Sequence, residues 1–195
     1  MRRRAGVWLI AGVLFLLASL GLVGYNLHAA QQAGESAQHV MEQMVARGAQ
    51  PVPAQTETQE TPQMQTEMID GRAYVGAIEI PALKLSLPVL ADWSYDLLKI
   101  APCRYAGSCY ENNLVLCAHN YRSHFNALRW IEMGEDVYFT TVNGEVFHYI
   151  TVNRETLQPG EVARMRETDG CWDLTLFTCY IGGYSRCTVR CERAD

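Results

Sequence analysis

Asp173–Arg193 reads DLTLFTCYIGGYSRCTVRCER, and both the fold and the chemistry turn on this stretch. Leu174, Leu176 and Thr178 alternate with Thr175, Phe177 and Cys179, the two-residue period of a strand whose successive side chains leave opposite faces. Gly182 and Gly183 follow and supply the positive backbone angles of a tight reversal. Thr188, Val189 and their neighbours favour extension again. The stretch is therefore predicted to be a β-hairpin, with Cys179 ending its first strand beside Arg186, which begins its second. A small buried residue is the commoner use of a cysteine, but a thiol held next to a fixed cation is a nucleophile candidate.

A nucleophile of this kind needs a proton carrier. Asn113–Asn120 reads NLVLCAHN, an apolar strand run that ends in His119. The imidazole would stand at a strand end, with Asn120 placed either to orient it or to cap the strand. A lone histidine in such a place is more often structural. Cys, His and Arg together, each at the terminus of a strand-like run, are the parts that nucleophilic acyl transfer requires: a thiolate, a proton shuttle and an oxyanion stabiliser. Arg190, on the same strand face as Arg186, competes for the last role. With ordinary pKa values near 8.5 for cysteine and 6.5 for histidine, the thiolate–imidazolium form of such a pair holds only roughly 1% of the population, which predicts slow turnover.

The same residues carry a resemblance. LTLFTC at Leu174–Cys179 resembles the TLxTC signature of the sortases, cysteine transpeptidases of Gram-positive cell surfaces. CAHN around His119 is similar to the segment holding their catalytic histidine, and RCTVRCER from Arg186 is similar to their arginine strand. The order of the three agrees, and the resemblance covers about Tyr74 to Arg193. Ala118 stands where many members have Gly. The resemblance implies an eight-stranded β-barrel, no cofactor, and His119, Cys179 and Arg186 as the catalytic set. It also implies cleavage of an LPxTG-like sorting signal between Thr and Gly through a thioester, with transfer of the protein to an amine of a peptidoglycan precursor or a pilin. Asn120, His124 and Thr178 are expected around that site, Thr178 beneath Cys179 and His124 structuring a loop. Pilin polymerases resemble chains with an N-terminal lid and a second, C-terminal apolar span; neither is evident here, which favours protein anchoring or a specialised substrate.

The 195 residues leave room for one ordinary domain plus appendages. Arg2, Arg3 and Arg4 precede an uncharged run from Val7 to Val23, extended by Gly24 and Tyr25. That length suits a bilayer-spanning helix and exceeds a signal-peptide core, so residues 7–27 are read as an uncleaved anchor, with Ala29 and Ala30 the residues that could support cleavage. Positive residues stay cytoplasmic, which puts residues 1–6 inside and all that follows Leu27 outside. Residues 28–72, rich in Gln, Glu, Thr, Ala, Pro and Met, are read as an extracellular stalk. Its first part can continue as helix, since Val40 and Met44 fall four apart, until Pro51 and Pro53 end it; the remainder is expected to be flexible.

Residues 73–195 are read as the catalytic domain. Tyr74–Ile80, Leu83–Leu90, Asn113–His119, Asp136–Val142 and Glu145–Asn153 have strand character, with Asn143-Gly144 a strong hairpin signal. Pro81 and Pro88 are expected at strand ends or an edge. Short helices are predicted at Tyr95–Ile100 and Phe125–Ile131. Six to eight short strands with little helix favour a closed barrel independently of the resemblance. Without its three N-terminal arginines the chain carries 13 basic against 21 acidic residues, a formal charge of −8, which argues against a nucleic-acid partner.

Seven cysteines in an exported domain leave at least one unpaired, and Cys179 is the choice. The other six allow 15 pairings. Cys187 and Cys191 on one strand would be roughly 13 Å apart, too far to bridge, and share a face with Val189 as buried residues. Cys103 and Cys109, flanking a loop, make the most plausible bridge. The absence of a C-x-x-C pair argues against zinc and against a disulfide oxidoreductase. The rival to an enzyme is a disulfide-braced, membrane-tethered binding module; a papain-like hydrolase would place its cysteine before its histidine.

Overall fold

In chain order, α1 (Arg2–Arg47) is followed by β1 (Glu67–Ile69), β2 (Arg72–Ile80), β3 (Leu85–Leu90), β4 (Cys103–Ala106), β5 (Leu114–Ala118), β6 (Asp136–Thr141), β7 (Val146–Leu157), α2 (Val162–Met165), β8 (Leu174–Cys179) and β9 (Arg186–Arg193). The computed structural model describes residues 2–47, 63–166, 172–180 and 182–194. The strands form one sheet in the order β1-β2-β3-β4-β5-β8-β9-β7-β6, and β2 also pairs with β6. Eight strands thus close into a barrel, with β1 as an extra strand on β2. Closure depends on Gly76, where β2 shifts register and meets both β3 and β6. A Cβ there would lie 2.1 Å from the Thr140 carbonyl oxygen, an approach that only glycine allows.

The strands and hairpin expected from the alternating pattern are present as β2, β3, β5, β6 and β7, and the Asn143-Gly144 turn is closed by the Gly144 N–H donating to the Thr141 carbonyl at 3.0 Å. The two predicted short helices are 3-10 turns at Leu97–Lys99 and Phe125–Trp130. Pro88 lies inside β3, paired with Ala77 of β2. Its other edge meets β4 only through Leu90 and Cys103, so the missing N–H faces an unpaired stretch. β1, β4 and α2 go beyond the sequence reading; a three-residue strand and a four-residue one are too short to show a period.

Leu114, Leu116, Leu174, Leu176, Val189 and Cys191 are fully buried in the barrel interior. Their alternates Val115, Cys117 and Phe177 pack outside the wall with Leu90, Met165 and Val40. The wall formed by β5, β8 and β9 is therefore covered on both faces, and Thr188 and Arg190 on its outer side are as inaccessible as the core. Such a wall is rigid, a good support for chemistry at its edge.

The helix differs from a simple anchor on a flexible stalk. α1 is long and apolar enough to cross a membrane, yet its second half docks on the barrel, where Ala33, Ala37 and Val40 are buried at the spacing of one helix face. β1 then pairs with β2. Residues 48–62, within the expected stalk, lie outside the described residues.

The expected bridge between Cys103 and Cys109 is absent; both are free thiols, as are Cys117, Cys179, Cys187 and Cys191. Cys103 packs outside the wall while Cys109 packs into the interior, so the sheet separates them. Cys171 lies outside the described residues. The binding-module alternative loses the braces it depended on.

Candidate active site

β5 and β8 run parallel in register, Cys117 opposite Phe177 and Ala118 opposite Thr178. The next residues in each chain are His119 and Cys179. β8 and β9 pair antiparallel, with Cys179 directly opposite Arg186. The three side chains thus stand in one row across three adjacent strand ends, spanning about 10 Å at the usual strand spacing, on the outer face of the wall. Thr178 fastens the row: its buried hydroxyl donates to the Ala118 carbonyl at 2.8 Å, tying the histidine strand to the cysteine strand one residue below the site. The turn between β8 and β9 is held by the Tyr180 N–H on Ser185 and the Gly183 N–H on Tyr180, both 2.9 Å, with Gly182 and Gly183 at φ 88° and 74°.

All three residues line one groove of about 250 Å³, walled by Trp93, Tyr105 and Phe177 on one side and by Val162 and Met165 of α2 on another. A wider hollow of about 530 Å³, between Arg129–Met133 and Val152–Arg154, contains none of them. The groove's aromatic wall is a ladder: Trp93 meets Tyr105 at 5.2 Å, and Tyr105 meets Phe177 edge-on at 5.1 Å.

Cys179 is half-buried, the other five described thiols fully buried. Burial pushes Cys103 up to about 12 and Cys109 up to about 11, and raises Cys117, Cys187 and Cys191 as well, so these five stay protonated and unreactive. His119 stacks on Tyr121 at 4.8 Å. Its pKa is lowered, first by burial and then by the Lys99 charge, so the resting imidazole is neutral near pH 7. The Arg186 guanidinium donates to the carbonyls of Gly183 at 3.0 Å and Ser185 at 3.3 Å, and among the described residues no carboxylate pairs with it.

Arg190 is different. Fully buried, it donates through Nε and Nη2 to Glu155 Oε1 at 3.0 and 2.9 Å, through Nη1 to Thr175 at 2.9 Å and to the Met165 carbonyl, and through Nη2 to the Arg164 carbonyl. Every arm of its fork is engaged outside the groove. It clamps α2, a groove wall, to the barrel.

Asn120 is spent elsewhere: its side-chain oxygen accepts from Asn126 Nδ2 at 2.6 Å and Arg129 Nη2 at 2.5 Å. Arg129 also lies over the Tyr180 ring at 5.6 Å, so it links the segment after His119 to the residue after Cys179. Sequence reading missed Arg129, because nothing local marks a side chain that joins two distant loops. His124 lies off the groove, fully buried, with neither ring nitrogen hydrogen-bonded among the described residues. Burial, then the His119 charge, pushes it down to about 4, against an opposing pull from the backbone of Ala33 and Ile100.

That depression has a pH signature. As pH falls below about 6.5 the unfolded chain takes up a proton that folded His124 refuses until about pH 4. The stabilisation it contributes is present above that window and lost through it, by about 3 kcal/mol. Denaturant unfolding of the full chain in detergent at pH 7 and pH 4 should show the loss, and His124→Phe should remove that component.

The sortase domain model matches residues 78–194. Sortase C from Clostridium perfringens, in the structure with the C-terminal cell wall sorting motif, is 27% identical with a TM-score of 0.54 over 63% of this chain and 71% of that one. Sortase C1 from Streptococcus suis is 25% identical, TM-score 0.54, over 63% and 73%. Sortase A from Corynebacterium diphtheriae shares the fold at 20% identity, TM-score 0.55, over 64% and 62%. A comparison with curated proteins gives no match. Since the family match runs from the middle of β2 to the end of β9 and so takes in the groove and its three strand ends, the chain belongs to the sortase family and is a cysteine transpeptidase.

Proposed function

We propose that the chain is a single-pass membrane transpeptidase, amino terminus inside and barrel outside, that cuts an LPxTG-like sorting signal between Thr and Gly. The protein is then joined to an amine of a peptidoglycan precursor or a pilin. Cys179 is the nucleophile, His119 the proton carrier and Arg186 the oxyanion partner. The observation that carries this reading is the single row of His119, Cys179 and Arg186 across neighbouring strand ends in one groove.

The Cys179 thiol gives its proton to His119 as its sulfur adds to the scissile carbonyl, and the oxygen that gains charge is met by the Arg186 guanidinium, a donor free of any carboxylate among the described residues. Collapse breaks the C–N bond as His119 gives its proton to the departing amine, leaving a thioester. An incoming amine attacks, loses its proton to His119, and expels the thiolate as a new amide forms. Because burial and the Lys99 charge lower the His119 pKa, the imidazolium that must serve as acid is scarce, and turnover is slow.

The test is incubation of the protein with a library of sorting peptides, with and without amine acceptors, followed by mass spectrometry. The expected product without acceptor is a thioester on the Cys179 peptide that hydroxylamine releases. An adduct on any other residue, or none with any peptide, would overturn the assignment.

A further inference from the structure

We propose that the rim of the groove, centred on Trp93, Tyr95 and Lys99, rests in the phospholipid headgroup layer of the bilayer that α1 crosses. The groove then opens at the membrane surface. This deepens the proposed function and rests on its single-pass anchor.

The placement follows from how α1 joins the barrel. Trp8 and the large apolar side chains from Ile10 to Leu27 are bare of the described protein. Contact with the barrel begins almost at once: the Ser123 hydroxyl donates to the Ala30 carbonyl at 3.0 Å, about 4.5 Å along the axis from Leu27 at 1.5 Å per residue. A Cβ on Gly34 would touch Ser123, and Ala33, Ala37 and Val40 continue the buried stripe. The helix is unbroken from Arg2 to Arg47, so it fixes the barrel's height and tilt together.

It also fixes which end faces the lipid. Lys99 lies within electrostatic reach of both Tyr25, at the end of the apolar run, and Tyr121. His119 in turn feels Lys99. The catalytic edge is thus level with the last turns of the apolar segment. The opposite end of the barrel, with Val142 and Gly144, lies against Met41, Met44 and Val45, about 20 Å further along the helix. Tyr95 is 74% and Trp93 40% exposed, large amphipathic rings whose outer faces meet no protein among the described residues, and such rings favour the headgroup level. The charges there balance: Lys99 and the exposed Arg122 against Asp92 and Asp96, with Lys99 and Asp96 paired at 2.7 Å. Aromatic seating, not attraction to anionic lipid, carries the contact, so phosphatidylcholine suffices.

The full chain is reconstituted in phosphatidylcholine vesicles carrying headgroup spin-labelled lipid. Single-tryptophan chains retain Trp93, Trp8, or a reporter introduced as Val146→Trp at the far end, the other tryptophans being replaced by Phe. Trp93 should be quenched several-fold more than the Val146→Trp reporter. A ten-residue Gly-Ser insertion between Leu27 and His28 should bring Trp93 quenching down to the reporter's level. It should also slow transfer of a vesicle-tethered sorting peptide about tenfold while leaving a free peptide's rate unchanged. Trp93 quenched no more than the reporter, in vesicles where Trp8 is quenched by acyl-chain labels, would overturn the proposal, as would an insertion that leaves tethered turnover intact. Failure of the anchor shows separately as an unquenched Trp8, and failure of the transpeptidase reading as no turnover of the free peptide by the uninserted chain.

Discussion

Cys179→Ala is expected to lower peptide cleavage and transfer by roughly 10,000-fold or more, because the residue that forms the covalent intermediate has no substitute. The nearest alternative is Cys117, which also lines the groove but is buried, with its thiol pushed up by that burial. Cys103, Cys109, Cys187 and Cys191 are inaccessible. The substitution leaves the strand pairing to Arg186 untouched and removes one half-buried sulfur, so stability should change by less than about 1 kcal/mol. Loss of activity would then be chemical. Two measurements check it: turnover of a fluorogenic sorting peptide, and iodoacetamide labelling mapped by peptide. In the native protein residue 179 should react faster than any of the five buried thiols. Turnover of the alanine variant within tenfold of native would mean that another group attacks the carbonyl.

Two parts of the row that places this thiol were legible in the sequence, because each is set by a short-range fact. Gly182 and Gly183 turn the chain where Cys179 and Arg186 become partners, and the apolar alternation of Asn113–His119 marks a strand that ends on the histidine. What the chain's local pattern does not encode is which strands become neighbours. The parallel register of β5 on β8, which brings His119 to Cys179, joins segments about sixty residues apart, and only the resemblance implied it. The free state of Cys103 and Cys109 escaped sequence reading for a related reason. Cys103 and Cys109 are six residues apart, yet the wall of the barrel runs between them. The docking of α1 was masked by composition: Ala33, Ala37 and Val40 are small, and a helix face made of small residues reads as a polar stalk until a barrel is laid against it. The loop after His119 turns Asn120 toward Arg129 and His124 under α1, a path that no local pattern shows.

Two arginines on one strand face provide the sharpest separation of chemistry from support. Arg186→Ala is expected to lower kcat/KM about 100- to 1,000-fold, chiefly through kcat, as loss of an oxyanion donor does. Among the described residues its guanidinium hydrogen-bonds to turn carbonyls alone, so the melting temperature should hardly move. Arg190→Met should act the other way round. Removing the fork leaves Glu155 with Arg164 as its partner, at 2.6 Å, and releases the buried hydroxyl of Thr175 and the carbonyls of Arg164 and Met165. A cost of about 2 kcal/mol follows from the acceptors left unmet. With α2 no longer clamped, Val162 and Met165 lose their position in the groove wall, and KM should rise more than kcat falls. Adding Glu155→Leu to Arg190→Met also takes away the Arg164 ion pair that still ties α2 to β7, so it should recover neither stability nor KM and should raise KM further. Steady-state kinetics and thermal melts on the four proteins decide the matter. If Arg186→Ala keeps full activity while Arg190→Met loses kcat at unchanged KM, the oxyanion partner is Arg190, and its buried network must open when substrate binds.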